Sequence, residues 1–205
     1  MAVLSDRYAS IDGKCDILTA PFLAVARERL VRLCRDAGFA CVLDVGCGTG
    51  ALTRKLHDAK VRVIGIDTSP AMLDIASKRL PDSVPLCLGG LPLPFADKNF
   101  DAAVLALVLH KSADDPCAVL AEALRVAPCC VVLELRMPER NLDFPSHGIV
   151  HIIERLAGKE HYARFRNFAQ LGFLRGVAAR VGASVVSEET FMAGSLTLAL
   201  CRKTV

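Results

Sequence analysis

The chain has 205 residues, of which 53% are hydrophobic and 23% are charged, so it can bury a core and is not disordered as a whole. Its net charge of +3 is too small to predict a nucleic-acid-binding surface. No apolar run reaches the roughly 18–20 residues of a membrane-spanning helix, and the N-terminus lacks the charged-then-apolar order of a signal peptide. We therefore expect one domain over residues 1–205, located in the cytoplasm.

Nine cysteines are present, and no two of them form a C-x-x-C pair. Several lie inside apolar runs, where cysteine behaves as a small buried hydrophobe. An odd number of cysteines in a chain without a secretion signal indicates free thiols. The adjacent Cys129 and Cys130 are expected to pack inside a strand, and capture of a soft metal by this pair is the less favoured alternative.

The first two thirds of the chain alternate between helical and strand patterns. An N-terminal helical segment is predicted within residues 1–38, with Pro21 opening its helix and Gly38 ending it. Five buried strands are predicted at residues 41–45, 61–67, 84–88, 100–110 and 129–135. Helices are predicted at residues 51–57, 69–80 and 115–126, with Thr68 or Ser69 as the N-cap of the second and Asp115 at the start of the third. Strands that are apolar along their length and alternate with helices indicate an α/β fold, with a parallel sheet covered on both faces.

The C-terminal third follows a different pattern. Residues 184–190 and 196–202 are strand-like and too close for a helical crossover, so an antiparallel hairpin is predicted. Residues 136–180 are predicted to hold helices near 149–157 and 165–181. An excursion after the fifth strand would lie over the carboxyl edge of the sheet, where open α/β folds bind ligands. We therefore expect residues 136–180 to form a helical insertion on the substrate side.

A glycine-rich loop follows the first strand and carries Gly46, Gly48 and Gly50 at alternate positions. Glycine permits a sharp turn and a close approach to a ligand, and the helix that follows presents unpaired N–H groups. This arrangement predicts a nucleotide-type cofactor site. Taken alone, the loop also fits the looser glycine fingerprint of nicotinamide enzymes, with Asp67 near the distance of a ribose-binding acid.

Asp44 helps to decide between these cofactors. It lies inside an apolar strand two residues before Gly46, and a buried carboxylate is costly unless it meets donors or a positive charge. A dinucleotide's pyrophosphate would be repelled by this carboxylate, whereas the ammonium of an amino-acid-bearing cofactor would be held. The wide D-x-G-x-G-x-G spacing and a rigid loop at residues 93–101 favour the same kind of cofactor.

Four stretches together resemble the successive motifs of class I S-adenosylmethionine-dependent methyltransferases. They are VLDVGCGTG at residues 42–50, VIGIDTSPAML at 63–73, LPFADKNFD at 93–101 and LRVAP at 124–128. By pattern, the small-molecule group that includes quinone-ring methyltransferases is the most similar. The resemblance implies a Rossmann-like doubly wound seven-stranded sheet, mostly parallel, with an antiparallel C-terminal hairpin strand. It also implies S-adenosyl-L-methionine as cofactor and methyl transfer to an O, N or C atom of a small molecule.

The resemblance further implies a set of cofactor contacts. The glycine loop would pass under the methionine part, Asp67 would accept both ribose hydroxyls, and the segments after the second and third strands would enclose the adenine. The residues concerned are Asp44, Gly46, Cys47, Gly48, Gly50, Asp67, Thr68, Met72, Gly89, Gly90 and Leu91, with Ala106 and Leu107 near the sulfonium. One departure is notable, because Gly89 or Gly90 stands where the family often has an acid that binds the adenine amine.

His110 is the candidate general base, because the predicted fourth strand would end with it near the transferred methyl group. The alternative is that His110 only caps the strand or donates to a backbone carbonyl. In the insertion, His147 and His151 lie four residues apart and Glu154 lies three further on, a spacing found in metal-binding helices. A solvated or substrate-facing helix is the favoured interpretation, and no metal site is predicted.

A polar cluster made of His161, Tyr162, Arg164 and Arg166 could contact an anionic or aromatic substrate. The favoured alternative is that most of these side chains form the solvent-facing side of an amphipathic helix. Two other functions remain open, namely a non-catalytic S-adenosylmethionine-binding protein and a nicotinamide-dependent oxidoreductase. A small-molecule methyl acceptor is the expected partner, no nucleic acid is expected, and a homodimer is compatible with the sequence.

Overall fold

The computed structural model describes residues 23–136, 154–155 and 158–204. A first helix, α1, covers residues 23–36. The elements after it are β1 (Cys41–Val45), α2 (Ala51–Asp58), β2 (Arg62–Asp67), α3 (Pro70–Arg79), β3 (Leu86–Leu88), β4 (Ala102–Ala106), α4 (Pro116–Val126), β5 (Cys129–Leu135), α5 (Lys159–Gln170), α6 (Phe173–Arg180), β6 (Ala183–Phe191) and β7 (Leu196–Lys203). The single domain over residues 1–205 stays a prediction.

The strands form one seven-stranded sheet in the order β3-β2-β1-β4-β5-β7-β6. Strands β1 to β5 pair in parallel, whereas β7 pairs antiparallel with both β5 and β6. This arrangement confirms the predicted mostly parallel sheet with an antiparallel C-terminal hairpin. Successive strand residues point to opposite faces, so Val42 and Leu43 of β1 enter two different apolar clusters. Both faces of the parallel strands are therefore buried, as their continuous apolar sequences require.

Two helices begin at the capping residues that the sequence indicates. The Ser69 hydroxyl accepts a hydrogen bond from the Met72 N–H at 3.3 Å, and Pro70 occupies the first turn of α3. In α4 the carboxylate of Asp115 accepts from the Cys117 N–H at 3.2 Å. These caps satisfy backbone donors that a helix start leaves unpaired. They also fix where α3 and α4 leave the carboxyl edge of the sheet.

The fourth strand is shorter than predicted, because β4 ends at Ala106 rather than at His110. Leu107 takes a positive φ of 59°, and the chain turns away from the sheet over residues 107–110. The apolar pattern nevertheless continues, since Val108 packs beside Gly46 and Leu109 is buried in the core. Residues 107–109 are apolar, as they would be in a buried strand, so the hydrophobic pattern of the sequence could not distinguish a buried turn from a longer strand.

The helix predicted at residues 165–181 is two helices, because the chain breaks at Gly172, which has a φ of 86°. Phe165 and Phe168 of α5 are fully buried, as expected for the apolar side of an amphipathic helix. The helix predicted near residues 149–157 is described only at residues 154–155, which are helical. His147 and His151 lie outside the described residues.

The eight cysteines within the described ranges are all free thiols. Cys129 and Cys130 pack into the clusters on opposite faces of the sheet. Their sulfur atoms therefore lie on opposite sides of β5, and the pair cannot chelate one metal ion. Among the described residues, no helix is both long and apolar enough to cross a membrane.

Candidate functional site

A cavity of about 510 Å³ lies at the carboxyl edge of the sheet, beyond the ends of β1 and β2. Its volume suits a small organic ligand, and its position is the one where doubly wound sheets bind ligands. The lining residues are Val45, Gly46, Gly48, Ile66, Asp67, Thr68, Ser69, Met72, Gly89, Gly90, Leu91, Leu93, Val108, Lys111, Ser112, Ala113, Asp114 and Val119. This set includes eight of the thirteen residues predicted to contact the cofactor, namely Gly46, Gly48, Asp67, Thr68, Met72, Gly89, Gly90 and Leu91.

The three loop glycines all have positive φ but differ in their surroundings. A Cβ on Gly46 would lie 2.7 Å from Val108 Cγ2, and one on Gly50 would lie 3.0 Å from Leu80 Cδ1. A Cβ on Gly48 would have no atom within 4 Å. Gly46 and Gly50 therefore allow close packing within the protein, whereas Gly48 faces open space on the cavity side. Of the three, Gly50 is the one that does not line the cavity.

Asp67 ends β2 and joins the glycine loop to the start of α3. Its Oδ2 accepts a hydrogen bond from the Gly48 N–H at 2.8 Å, and its Oδ1 accepts from the Ser69 N–H at 2.9 Å. Two carboxylate oxygens offer about four acceptor positions, so each oxygen keeps a lone pair for another donor. Two neighbouring hydroxyl groups, such as those of a ribose, match this arrangement.

Asp44 is almost fully buried beneath the loop and does not line the cavity. Thr53 of α2 donates its hydroxyl to Asp44 Oδ2 at 2.6 Å, a contact that the sequence did not indicate. Burial raises the pKa of the Asp44 carboxyl to about 6. Asp44 can therefore act on a ligand through its charge rather than through a direct contact in this structure.

The segments after β2 and β3 enclose the other end of the cavity. Thr68 and Met72 come from the segment after β2, and Gly90 and Leu91 come from the segment after β3. The backbone N–H of Gly89 donates to the carbonyl oxygen of Asp67 at 3.0 Å and holds the two segments together. The lining contributed after β3 has no acidic side chain, so a base bound here would meet backbone groups and apolar atoms.

Arg125 of α4 holds the loop that begins at Leu93, a role that sequence reasoning missed. Its guanidinium donates to the carbonyl oxygens of Leu93 at 2.9 Å and Phe95 at 2.8 Å, and to the carboxylate of Asp97 at 2.8 Å. Glu122 completes the arrangement by accepting from the Leu93 N–H at 2.9 Å and from Arg125. Because Leu93 lines the cavity, α4 sets the position of this wall.

The turn after β4 supplies a wall that the sequence did not predict. Ala106 and Leu107, expected near a sulfonium, are not among the lining residues, and neither is Cys47. The early end of β4 instead brings Val108 and residues 111–114 to the cavity. Lys111 and Asp114 therefore supply charged groups beside the cofactor space.

His110 lies in this turn, 4% exposed, and is not among the lining residues. Its Nδ1 is 2.5 Å from Oε1 of the fully buried Glu134, which also accepts from the backbone N–H groups of Leu109 and Leu135. Burial lowers the pKa of His110, but the charge of Glu134 outweighs it, so that the pKa is raised. The role of His110 as general base stays a prediction.

A second histidine lies beside His110. Glu154 Oε2 is 3.9 Å from His110 Nε2 and 2.7 Å from His161 Nε2. The solvent-facing side predicted for most of the polar cluster does not extend to His161, because only 13% of its side chain is exposed. Arg164, from the same predicted cluster, donates to the carbonyl oxygen of Lys111 at 3.3 Å. Helix α5 is thereby joined to the turn after β4.

Comparisons with known proteins agree with this geometry. Residues 43–128 match the family model described as a methyltransferase domain. The chain is 39% identical over 122 residues to the demethylmenaquinone methyltransferase of Tropheryma whipplei, covering 57% of this chain and 51% of that protein. It is 36% identical over 117 residues to the enzyme of the same name from Thermotoga maritima, covering 55% and 51%. The chain thus spans about half the length, or less, of the curated relatives that it matches.

Solved structures share the fold at low sequence identity. The mitomycin 7-O-methyltransferase MmcR superposes with a TM-score of 0.63 at 20% identity, covering 88% of this chain and 54% of that one. The plantazolicin methyltransferase BamL gives a TM-score of 0.66 at 12% identity, covering 97% and 91%. A SAM-dependent methyltransferase from Aquifex aeolicus gives 0.58 at 18% identity, covering 80% and 82%. The family model shows a methyltransferase domain over residues 43–128, and the seven-stranded sheet and the cavity beyond β1 and β2 agree with the resemblance to class I S-adenosylmethionine-dependent methyltransferases.

Proposed function

We propose that this chain binds S-adenosylmethionine in the cavity and transfers its methyl group to an O, N or C atom of a small molecule. The observation that carries the proposal is the position of Asp67, whose carboxylate accepts the Gly48 N–H at the point where the loop opens onto the cavity. This geometry presents acceptors to a ribose and leaves open space over Gly48 for the methionine part.

The cofactor's parts are assigned along the cavity from these contacts. Asp67 accepts the ribose hydroxyls, and the adenine lies between Met72 and Leu91. The methionine part passes Gly48, and its ammonium lies in the field of Asp44. The positive charge offsets part of the free-energy cost of burying the Asp44 carboxylate. The sulfonium then lies toward the turn after β4. A sulfonium is already a strong methyl donor, so the protein contributes chiefly alignment and exclusion of water.

An aromatic ring of the quinol type is the first acceptor class to test. Support comes from the curated relatives named demethylmenaquinone methyltransferase, two of which match 57% and 55% of this chain. The wall that would face an acceptor includes Lys111 and Asp114, a cation and an anion that can orient polar substituents. Location in the cytoplasm and a homodimeric state stay predictions.

A non-catalytic S-adenosylmethionine-binding protein is the second candidate. One specific observation favours it, namely that Gly89 and Gly90 stand where the family often has an acid that binds the adenine amine. Binding of the cofactor or its product for a regulatory purpose would need the cavity but no ordered acceptor side.

The experiment is a transfer assay with the purified chain and methyl-labelled S-adenosylmethionine, using reduced naphthoquinones, phenols and amines as acceptors. The proposal predicts label in an acceptor product and its loss in Asp67→Ala, with Asp74→Ala, an exposed aspartate on α3, as the matched control. Tight binding of the cofactor without label in any acceptor, including small-molecule extracts, would favour the non-catalytic candidate. Absence of cofactor binding would contradict both.

A further inference from the structure

Three side chains with metal-ligating atoms converge beside the cofactor cavity from separate parts of the chain. His110 comes from the turn after β4, Glu154 from the segment before α5, and His161 from the first turn of α5. One ligand atom from each lies within 4.8 Å of the other two. His110 and Glu154 are buried, and His161 is partly buried.

Glu134 lies behind this cluster and contacts His110, in the position of a carboxylate that orients a metal-binding histidine without binding the metal itself. A carboxylate can only accept, so the 2.5 Å contact places the proton of a neutral His110 ring on Nδ1. The Nε2 lone pair is then directed away from Glu134, on the side where Glu154 lies 3.9 Å away. Histidines that bind metals almost always donate their other ring N–H in this way, which fixes the tautomer and raises the basicity of the ligating nitrogen.

Distances and charge favour a small divalent cation at the centre of the cluster. Bonds of about 2.0–2.2 Å from one ion to nitrogen and oxygen ligands set those ligands roughly 3 Å apart. The measured separations of 2.7 Å and 3.9 Å lie on either side of this value, so small side-chain movements are enough. Two buried carboxylates also need compensating positive charge, which a divalent ion supplies while both imidazoles stay neutral.

We propose that His110 Nε2, Glu154 and His161 Nε2 bind one divalent transition-metal ion of the zinc class, with Glu134 as the outer carboxylate. Two imidazole nitrogens and one carboxylate suit Zn²⁺ or Fe²⁺ better than Mg²⁺ or Ca²⁺, which prefer oxygen ligands alone. The ion joins α5 and the segment at Glu154 to the turn that lines the cavity. A ring nitrogen bound to a metal cannot accept a proton, so this inference competes with the general-base role predicted for His110.

The test measures metal binding by the full chain without reference to methyl transfer. Protein treated with a chelator is titrated with Zn²⁺ by calorimetry, and a second sample is loaded with Co²⁺ for visible spectroscopy. We expect one equivalent bound, a higher melting temperature with metal and d–d bands typical of nitrogen and oxygen ligands. His161→Ala and Glu154→Gln should each weaken Zn²⁺ binding at least tenfold, and Glu134→Gln by about 10- to 100-fold.

The matched control is His57→Ala, which removes a partly exposed histidine on α2 and should bind Zn²⁺ as the unaltered chain does. Binding of S-adenosylhomocysteine by each variant reports that it has folded, because none of these residues lines the cavity. Zn²⁺ affinity unchanged in His161→Ala, no binding by the unaltered chain, or a cobalt–thiolate band would overturn the inference. Metal binding without any cofactor binding would support it while contradicting the proposed function.

Discussion

Asp67 Oδ2 and the backbone N–H of Gly48 form a 2.8 Å hydrogen bond that links the end of β2 to the glycine loop after β1. The same carboxylate accepts from Ser69 at the start of α3 through its other oxygen. One side chain therefore sets the relative positions of three cavity walls. A substitution at Asp67 should affect the shape of the loop as well as the contacts to a ribose.

Asp67→Asn should lower the affinity for S-adenosylhomocysteine at least tenfold. The amide replaces one acceptor oxygen with a donor, so it loses one backbone hydrogen bond and one position for a ribose hydroxyl. Isothermal titration calorimetry measures the change. Asp74→Asn, on the exposed face of α3, is the control and should bind as the unaltered chain does. Equal affinities for the two variants would show that Asp67 is not at the ribose.

Gly48→Ala and Gly50→Ala should separate ligand binding from stability. Both positions have positive φ, so each alanine should cost about 1–2 kcal/mol of backbone strain. At Gly50 the new Cβ would also lie 3.0–3.1 Å from Leu80 and Ala76, which adds to the loss of stability. At Gly48 it would enter open space beside the cavity.

We therefore expect Gly50→Ala to have a lower free energy of unfolding than Gly48→Ala. Gly48→Ala, although the more stable of the two variants, should bind S-adenosylhomocysteine more weakly than Gly50→Ala does. Denaturant unfolding and calorimetry on both variants measure the two quantities. A Gly48→Ala variant that binds the ligand normally would mean that the methionine part does not pass this glycine.

Asp44 should make stability depend on pH in a defined window. Burial raises the pKa of this carboxyl to about 6, so between about pH 4 and pH 6 the folded chain keeps a proton that the unfolded chain has lost. Unfolding then releases a proton, and the free energy of unfolding falls as pH rises through this window. Asp44→Asn keeps the Thr53 hydrogen bond without the charge, and so lacks this fall.

The free energy of unfolding of Asp44→Asn, minus that of the unaltered chain, should therefore increase between pH 4 and pH 7 by on the order of 3 kcal/mol. Denaturant unfolding at several pH values measures the difference, in which the contributions of other groups cancel. Asp82→Asn, at an exposed aspartate, serves as the reference and should show no such trend. A difference that does not change with pH would mean that burial does not raise the pKa of Asp44.

Arg125→Ala should lower both the melting temperature and the affinity for S-adenosylhomocysteine. The substitution removes the donors that hold the carbonyl oxygens of Leu93 and Phe95 and leaves Glu122 without its main partner. Because Leu93 lines the cavity, the effect should reach the ligand. Arg166→Ala, at an exposed arginine of α5, is the comparison variant. Unchanged binding in Arg125→Ala would show that the loop is held by other contacts.

The sequence predicted the sheet well because apolar strands, helix caps and glycines act locally. The strands at Cys41–Val45 and Cys129–Leu135 have the predicted bounds, and α3 and α4 begin at the predicted caps. The turn after β4 could not be predicted in the same way. Its apolar residues are buried whether the chain is extended or turned, and only the positive φ of Leu107 distinguishes the two.

The candidate site was predictable where a motif is contiguous and not where distant segments meet. The glycine loop and Asp67 belong to two short motifs, and the structure brings them into hydrogen-bonding contact. The pairing of His110 with Glu134 and its approach to Glu154 join residues 24 or more positions apart, and no local pattern encodes those contacts. Polarity predicted a solvent-facing side for most of the cluster at residues 161–166, and it did not indicate the contact of His161 with Glu154.

Calorimetric titration of the purified chain with S-adenosylmethionine, S-adenosylhomocysteine and NADH tests the central claim most directly. We predict that both adenosyl compounds bind at one site per chain, that each competes with the other, and that Asp67→Ala abolishes binding of both. NADH should show no heat of binding at that site. Tight binding of NADH, with neither adenosyl compound bound, would contradict the assignment of the cavity to a methyl-donor cofactor.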